Sequence, residues 1–151
     1  MRILILGGTI FLGQALAEQA LARGHELTLF TRGQRNPDLF PAAERLRGDR
    51  DSDLSALEGR EWDAVIDTSG YVPRHVRASA ELLAPRVAHY TFISTISVYA
   101  NYEQVGIDED YPLGELPDPT VEQVTGETYG PLKVLCERAA EAAMPGRVLT
   151  I

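Results

Sequence analysis

A tyrosine and a lysine, Tyr129 and Lys133, are spaced so that they could transfer a proton together. Four residues apart on a helix, their side chains would lie on one face, one turn apart. An ammonium group beside a phenol stabilises the phenolate, and such a tyrosine can exchange a proton with a substrate oxygen near neutral pH. Because this spacing also arises between unrelated surface residues, its meaning depends on the surrounding elements.

A glycine-rich segment, Gly7–Gly13, lies between an apolar run and a helical pattern near the start of the chain. At such a junction, backbone N–H groups and the helix dipole attract a pyrophosphate. Gly7 permits the tight turn, while Gly13 lets the helix pack against the strand. Ile10 replaces the usual middle glycine, and because a β-branched residue rarely takes a positive φ, we expect the ligand or the loop to shift there. A purely structural turn is the alternative. The predicted phosphate contacts are Gly7, Thr9, Ile10, Phe11, Leu12 and Gly13.

The residues after the second predicted strand bear on which dinucleotide fits. A carboxylate there would hold the ribose 2′-hydroxyl and repel a 2′-phosphate. This chain has the uncharged Thr31, followed by Arg32 and Arg35, which could pair with a phosphate. The pattern favours NADP over NAD, although NAD remains the alternative cofactor. The arginines could also be solvated loop residues that bind no ligand. Asp49 and Arg50, after the third strand, could flank an adenine or form a charged turn.

Hydroxyl groups follow the fifth predicted strand, in the segment Ser94–Tyr99. Residues at the carboxyl end of a parallel strand face the crevice where ligands bind. A hydroxyl such as that of Thr95 can donate a hydrogen bond to a substrate carbonyl while Tyr129 transfers the proton. The alternative is that β-branched Thr95 only stabilises the strand.

The elements that must position these residues alternate between strands and helices. This alternation predicts an α/β domain over residues 1–151 with a doubly wound parallel sheet, a Rossmann fold. The acidic segment Asn101–Gln123 is predicted to be either a lid over the substrate or a solvated linker. The predicted strands are Arg2–Leu6, Glu26–Phe30, Glu44–Gly48, Asp63–Asp67, Ala88–Thr95 and Arg147–Ile151. The predicted helices are Phe11–Arg23, Ser52–Leu57, Arg74–Leu83 after Pro73, and Gly126–Met144, which Pro131 restricts to a start near Tyr129.

Composition excludes several classes of function. The formal net charge is 14 − 22 = −8, which argues against a nucleic acid as partner. A single cysteine, Cys136, favours a cytoplasmic setting, and no apolar stretch is long enough to cross a membrane. The three histidines are isolated, so no metal site is expected. The apolar ending Val148–Ile151 predicts that the chain is the N-terminal portion of a longer protein.

Together these motifs resemble the extended short-chain dehydrogenase/reductase superfamily of NAD(P)-dependent epimerases and dehydratases, over essentially the whole chain. Gly7–Gly13 is similar to that family's glycine turn apart from Ile10, and with Phe30–Gly33 it resembles an atypical branch that includes chloroplast stem-loop RNA-binding relatives. The resemblance implies that Thr95, Tyr129 and Lys133 are catalytic. It also implies that the nicotinamide ribose lies beside Thr68, Ser69, Gly70, Tyr129 and Lys133.

The resemblance implies an enzyme that transfers a hydride to or from a sugar nucleotide or a similar small substrate. Reduction, epimerisation and dehydration remain open, and a homodimer is compatible with the family. The family's smaller C-terminal substrate domain is expected to be largely missing from this chain. A non-catalytic dinucleotide sensor is one alternative, although it would need neither Tyr129 nor Lys133. An RNA-binding protein is the other, although it should show an extended basic face.

Overall fold

Six strands form one sheet in the order β3-β2-β1-β4-β5-β6, and every neighbouring pair is parallel. This computed structural model describes residues 1–151. The order reverses direction between β1 and β4, which confirms the predicted doubly wound Rossmann fold. The strands are β1 (Arg2–Leu6), β2 (Glu26–Thr31), β3 (Glu44–Arg47), β4 (Trp62–Asp67), β5 (Val87–Phe92) and β6 (Val148–Thr150). The helices are α1 (Phe11–Ala22), α2 (Pro73–Leu83) and α3 (Tyr129–Ala143).

The central strand β1 is apolar on both sides because both faces of the sheet are covered. Successive side chains of a strand point to opposite faces. Leu4 and Leu6 therefore pack into the larger core, which includes residues of α2 and α3. Ile3 and Ile5 pack into the smaller core, which includes residues of α1. Helices on both faces leave the carboxyl edge of the sheet as the open place for a ligand.

Strand β5 ends three residues earlier than predicted, at Phe92. Thr95 instead precedes a 3₁₀ turn, Ile96–Val98, and its hydroxyl accepts a hydrogen bond from the backbone N–H of Ser97. A threonine hydroxyl can bond nearby backbone groups in this way and so compete with a strand ladder, which sequence pattern does not reveal. Thr95 thus lies in a loop just beyond the sheet edge.

Other boundaries differ by a few residues. The predicted helix Ser52–Leu57 is reduced to a 3₁₀ turn at Ser55–Leu57, because the preceding residues form an aspartate-bonded turn. The sixth strand is confined to Val148–Thr150. Helix α3 begins at Tyr129, as the position of Pro131 predicts.

The long acidic segment after β5 is fastened to the domain at both ends. Near its start, Tyr99 and Leu113 form an antiparallel bridge, and the N–H of Gly114 donates to the carbonyl of Val98 at 2.7 Å. Near its end, Glu122 accepts two hydrogen bonds from Arg74 of α2, both 3.0 Å. The segment therefore folds back on the carboxyl side of the domain.

Gly130 allows α3 to approach the 3₁₀ turn beside Thr95, because a Cβ there would overlap the carbonyl oxygen of Ser97. We expect Gly130→Ala to lower the free energy of unfolding by about 1–3 kcal/mol through overpacking, even though alanine is the better helix former. Gly126→Ala is the matched control, since a Cβ at Gly126 meets nothing within 4 Å. Urea denaturation measures both; equal stabilities of the two variants would contradict this packing.

Candidate functional site

The turn between β1 and α1 has the conformation that its glycines predict. Gly7 and Gly8 have φ values of 108° and 97°, in the left-handed region that favours glycine. A Cβ on Gly13 would lie 2.8 Å from the Cα of Gly8, so α1 comes close to the turn only because Gly13 lacks a side chain. The first turn of α1 has no side-chain cap, which leaves its backbone N–H groups available to an anion.

The expected shift at Ile10 takes a specific form. Ile10 itself is extended, with φ −141°, and the positive φ of 44° falls on Phe11. Phe11 is also 91% exposed. A bulky residue in this backbone region is strained, so the turn accommodates the missing glycine by moving the unfavourable conformation one residue along the chain.

A cavity of about 570 Å³ lies at the carboxyl ends of the central strands and opens onto this turn. Seven residues predicted to contact the cofactor do not line it: Phe11, Leu12, Gly13, Thr68, Gly70, Tyr129 and Lys133. Thr95, predicted to be catalytic, does not line it either. The predicted residues that do line it are Gly7, Thr9, Ile10, Thr31, Arg32, Arg35, Asp49, Arg50 and Ser69. Sequence reasoning missed Tyr71, Val72 and His75, although an aromatic residue directly after the small residues of 68–70 was a usable signal.

Another cavity, of about 550 Å³, lies at the opposite, amino edge of the sheet. It contains none of the predicted site residues, and polar and charged side chains around Trp62 line it. The indole N–H of Trp62 donates to Thr28 Oγ1 at 3.0 Å, and this tryptophan is buried at the rim of the core. The chemistry-bearing residues are therefore gathered at the carboxyl edge alone.

Two of the arginines around the main cavity are free to meet a ligand. Arg32 and Arg35 are exposed, and neither takes part in an ion pair. The hydroxyl of Thr31 accepts the N–H of Gly33 at 3.1 Å, which shapes the loop that carries them. Asn36 donates to the carbonyl of Thr9 at 2.9 Å and so ties this loop to the glycine turn. The basic loop and the turn form one wall of the cavity.

The guanidinium of Arg50 is held inside the protein by a carboxylate. Its Nη1 and Nη2 atoms lie 2.6 and 2.8 Å from the two carboxylate oxygens of Asp67, and its side chain is only 10% exposed. Burial works against the charged guanidinium, but the charge and hydrogen bonds of Asp67 outweigh it, so the pKa of Arg50 is raised. The adenine contact of Arg50 stays a prediction beside the alternative of a charged turn, and the structure adds a carboxylate partner that sequence spacing did not connect to it.

Lys133 is buried beneath the loops that follow β4 and β5. Its Nζ atom donates to the carbonyl oxygens of Gly70 at 2.9 Å and Ile93 at 2.6 Å, and the side chain is 3% exposed. The ammonium also lies 3.9 Å from the ring centre of Phe92, a cation–π contact. Burial lowers the pKa of Lys133. An ammonium has three donors, so one remains for a ligand.

Tyr129 begins the same helix and lies half-buried beside the cavity wall. Its ring centre is 6.4 Å from that of Tyr71, which also borders Lys133, with 5.8 Å between Nζ and the Tyr71 ring centre. Thr95 Oγ1 lies 3.2 Å from the hydroxyl oxygen of Ser97. The structure thus places Tyr129 and Lys133 on one helix and Thr95 in a loop that packs against it. Direct action of the ammonium on the phenol stays a prediction.

Glu137, one turn after Lys133, is a polar contributor that sequence reasoning missed. Its carboxylate accepts a hydrogen bond from the hydroxyl of Ser94, in the loop just before Thr95. Burial raises the pKa of Glu137. The i, i+4 spacing from Lys133 was a signal that could have identified it.

The neighbouring Cys136 is fully buried in the larger core. Burial raises the pKa of its thiol to about 12, so thiolate chemistry near neutral pH is excluded. No group of three or more histidine, cysteine or acidic residues is arranged to hold a metal ion. None of the helices combines the length and the apolar character needed to cross a membrane.

Comparison with solved structures shows the same fold in several enzymes. A Bordetella bronchiseptica enzyme, WbmG, in complex with NAD has a TM-score of 0.79 at 20% identity, covering 99% of this chain and 52% of that one. UDP-galactose 4-epimerase has a TM-score of 0.75 at 22% identity, covering 99% and 55%. Vestitone reductase from alfalfa has a TM-score of 0.71 at 20% identity. The resemblance to extended short-chain dehydrogenases/reductases is confirmed at the level of the fold.

A curated relative is the chloroplast stem-loop binding protein of 41 kDa b from Arabidopsis thaliana, which is 31% identical over 119 residues, 65% of this chain and 30% of the relative. No protein-family model matches the chain. The chain spans about half the length of the solved structures and less than a third of the curated relative.

Because burial raises the pKa of Glu137, the folded chain holds this proton more tightly than the unfolded chain does. The resulting stability is fully present below the unfolded value of 4.5 and is lost as pH rises through the folded value. Glu137→Gln, which keeps an oxygen acceptor for Ser94, should not lose stability in that window. Urea denaturation across pH 4 to 8 compares the two proteins, and parallel curves would contradict the shift.

Proposed function

We propose that this chain is the dinucleotide-binding part of an NAD(P)-dependent epimerase, dehydratase or reductase of the extended short-chain type. The observation that carries the proposal is Lys133, a buried ammonium held one helical turn from Tyr129 by two carbonyls at the carboxyl edge of the sheet. That edge is where ligands bind in open parallel sheets. WbmG, which shares this fold, was crystallised with NAD, and MoeE5 with UDP-glucose and NAD.

The glycine turn fits the pyrophosphate of a dinucleotide. A Cβ at Gly7, Gly8 or Gly13 would overlap Thr68, Leu29 or the backbone of Gly8, so these glycines let the turn pack tightly against the sheet and α1. The uncapped N-terminus of α1 supplies the N–H donors. The strained backbone at Phe11 fits the same interpretation, since strain is commonly retained at ligand sites.

The nicotinamide ribose would lie against the loop Thr68–Gly70, and the donor of Lys133 that the carbonyls of Gly70 and Ile93 leave unused would hydrogen-bond its hydroxyls. A bound nicotinamide would accept or donate a hydride. Tyr129 would exchange a proton with the substrate oxygen, and the hydroxyl of Thr95 would donate a hydrogen bond to that oxygen. A sugar nucleotide is the proposed substrate class, and a cytoplasmic location and a homodimer are part of the proposal.

NADP is the proposed cofactor because the segment Thr31–Arg35, directly after β2, offers two unpaired arginines and no carboxylate. Arg32 and Arg35 line the cavity, and Thr31 bears no charge that would repel a 2′-phosphate. Arginine is suited to phosphate because its planar donors pair with two oxygens at once.

Binding of a nucleic-acid stem-loop is the second candidate, suggested by the name of the Arabidopsis relative. The same exposed arginines, Arg32 and Arg35, could meet a phosphate backbone. A net charge of −8 opposes this candidate. Competition decides between the two: a stem-loop RNA that binds with a steep salt dependence and is displaced by neither dinucleotide would favour the RNA function.

The cofactor preference makes a direct prediction. NADPH should bind the unmodified chain about 10- to 100-fold more tightly than NADH, as one charge-assisted contact of about 1.5–3 kcal/mol allows. Arg32→Ala should erase most of the difference. Arg23→Ala, at an exposed position outside the cavity, is the matched control and should keep it. Calorimetry measures the affinities, and equal values for the two cofactors on the unmodified chain would refute the preference.

The proposed catalytic roles predict that some variants lose turnover while they still bind the cofactor. In the protein that carries this chain, Tyr129→Phe should leave NADPH affinity nearly unchanged and lower turnover by about 10²- to 10⁴-fold. Lys133→Met should damage both. Thr95→Val should lower turnover alone, while Thr95→Ser should be tolerated.

These variants are measured by hydride transfer on a panel of sugar nucleotides, with fluorescence titration of NADPH in parallel. Tyr111→Phe is the matched control, because its hydroxyl bonds only Asn101 in the exposed acidic segment. Near-normal turnover in Tyr129→Phe would show that the acid/base is another group.

A further inference from the structure

A buried ion pair joins the ends of two strands that are not neighbours. Arg50 lies in the turn after β3, and Asp67 is the last residue of β4, with β2 and β1 between those strands. The two contacts of 2.6 and 2.8 Å form a bidentate pair. The Asp67 side chain has no exposure and that of Arg50 has 10%. Such a pair fixes geometry because a planar guanidinium matches a carboxylate in one orientation.

Asp67 in turn positions the loop that follows it, through hydrogen bonds. Its Oδ1 atom accepts the backbone N–H of Ser69 at 3.0 Å, and its Oδ2 atom accepts the hydroxyl of Tyr90 at 2.8 Å. Arg50 also donates to Ser79 of α2 at 2.7 Å. Both carboxylate oxygens are therefore saturated, and the start of the loop is set by hydrogen bonds to a group that Arg50 orients.

The same loop ends at the carbonyl that holds Lys133. A Cβ on Gly70 would lie 3.0 Å from Oδ2 of Asp67, so this glycine packs directly on the carboxylate. The Gly70 carbonyl accepts from Nζ of Lys133 at 2.9 Å. An unbroken series of contacts thus runs from Arg50 through Asp67 and Gly70 to the lysine.

The Nη donors of Arg50 are taken up by other residues of the chain. Nη1 and Nη2 are occupied by Asp67 and Ser79, with longer contacts of 3.4 Å to Ser69 Oγ and to the carbonyl of His75. Its Nε is buried and has no partner. The polar contacts that Arg50 makes at the cavity wall are therefore contacts within the chain.

We infer that Arg50 is a positioning residue for the nicotinamide half of the dinucleotide, acting through Asp67 and the loop Thr68–Gly70 on Lys133. The inference rests on the dinucleotide-binding function proposed above. The location of Arg50 after β3 suggests a role at the adenosine half of the cofactor. We infer a role at the nicotinamide half instead.

Arg50→Lys tests this inference, since an ammonium keeps the charge but cannot hold both oxygens of Asp67 and the hydroxyl of Ser79 in one fixed plane. Two probes report on the two halves of the cofactor: reduced nicotinamide mononucleotide and 2′,5′-ADP. We expect the affinity for the mononucleotide to fall about 3- to 30-fold and that for 2′,5′-ADP to stay within about twofold. NMR titration measures both.

Arg147→Lys is the matched control. The Arg147 guanidinium bonds the carbonyls of Ala84 and Val87, both at 3.0 Å, where α2 leads into β5, so its replacement costs stability away from the cavity. This variant should bind both probes as the unmodified chain does. Amide hydrogen exchange adds a readout that needs no ligand: exchange at Ser69 and Gly70 should accelerate in Arg50→Lys and not in Arg147→Lys.

Two results would overturn the inference. One is an equal fall in affinity for both probes, which would mean a direct adenosine contact or a general loss of structure. The other is unchanged mononucleotide binding or unchanged exchange at Ser69 and Gly70. Failure of the proposed function itself is distinguishable, because the unmodified chain would then bind neither probe, and the role of Arg50 toward nicotinamide would fall with it.

Discussion

The burial of one ammonium group, that of Lys133, constrains the whole carboxyl edge of the sheet. A charge removed from water must be hydrogen-bonded, and here two backbone carbonyls and an aromatic face meet that need. The carbonyls belong to Gly70 and Ile93, in the loops that leave β4 and β5. Satisfying Lys133 therefore fixes the two loops and the first turns of α3 relative to one another.

A second buried charge, on Arg50, is paired with the carboxylate of Asp67. Asp67 packs against Gly70, whose carbonyl accepts a hydrogen bond from Lys133. Asp67 has no exposed surface and accepts hydrogen bonds from Arg50, Ser69 and Tyr90. Buried polar networks of this kind specify one arrangement because leaving any member unpaired is costly. The open cavity above them can then be lined by smaller and more exposed groups without losing its shape.

The fold could be predicted from the sequence because its signals are local. Apolar runs such as that of Arg2–Leu6, glycines at the strand–helix junction and the position of Pro131 each act within a few residues, and all six strands were identified. The end of β5 was misplaced because the hydroxyl of Thr95 bonds the backbone beyond it. That competition depends on a turn which pattern alone does not define.

The site could be predicted only in part, because its strongest interactions join distant residues. The pairing of Arg50 with Asp67 spans seventeen positions, and the contact of Lys133 with Gly70 spans sixty-three. Arg50 was assigned to the adenine because its neighbours in sequence suggested it, whereas burial decides its partner. Tyr71 and Glu137 had only weak sequence signals, a position after residues 68–70 and a spacing of four from Lys133, and their contacts join residues distant in sequence.

Whether this edge receives a dinucleotide is the central claim, and an NMR titration of the ¹⁵N-labelled chain with NADPH tests it most directly. The account predicts that amide signals of the glycine turn Gly7–Gly13, of Arg32 and of the loop Thr68–Gly70 shift together with one dissociation constant. Those segments come from three separate strand ends, so a common response reports one ligand spanning them. An absence of saturable shifts, or shifts confined to the amino edge around Trp62, would contradict the account.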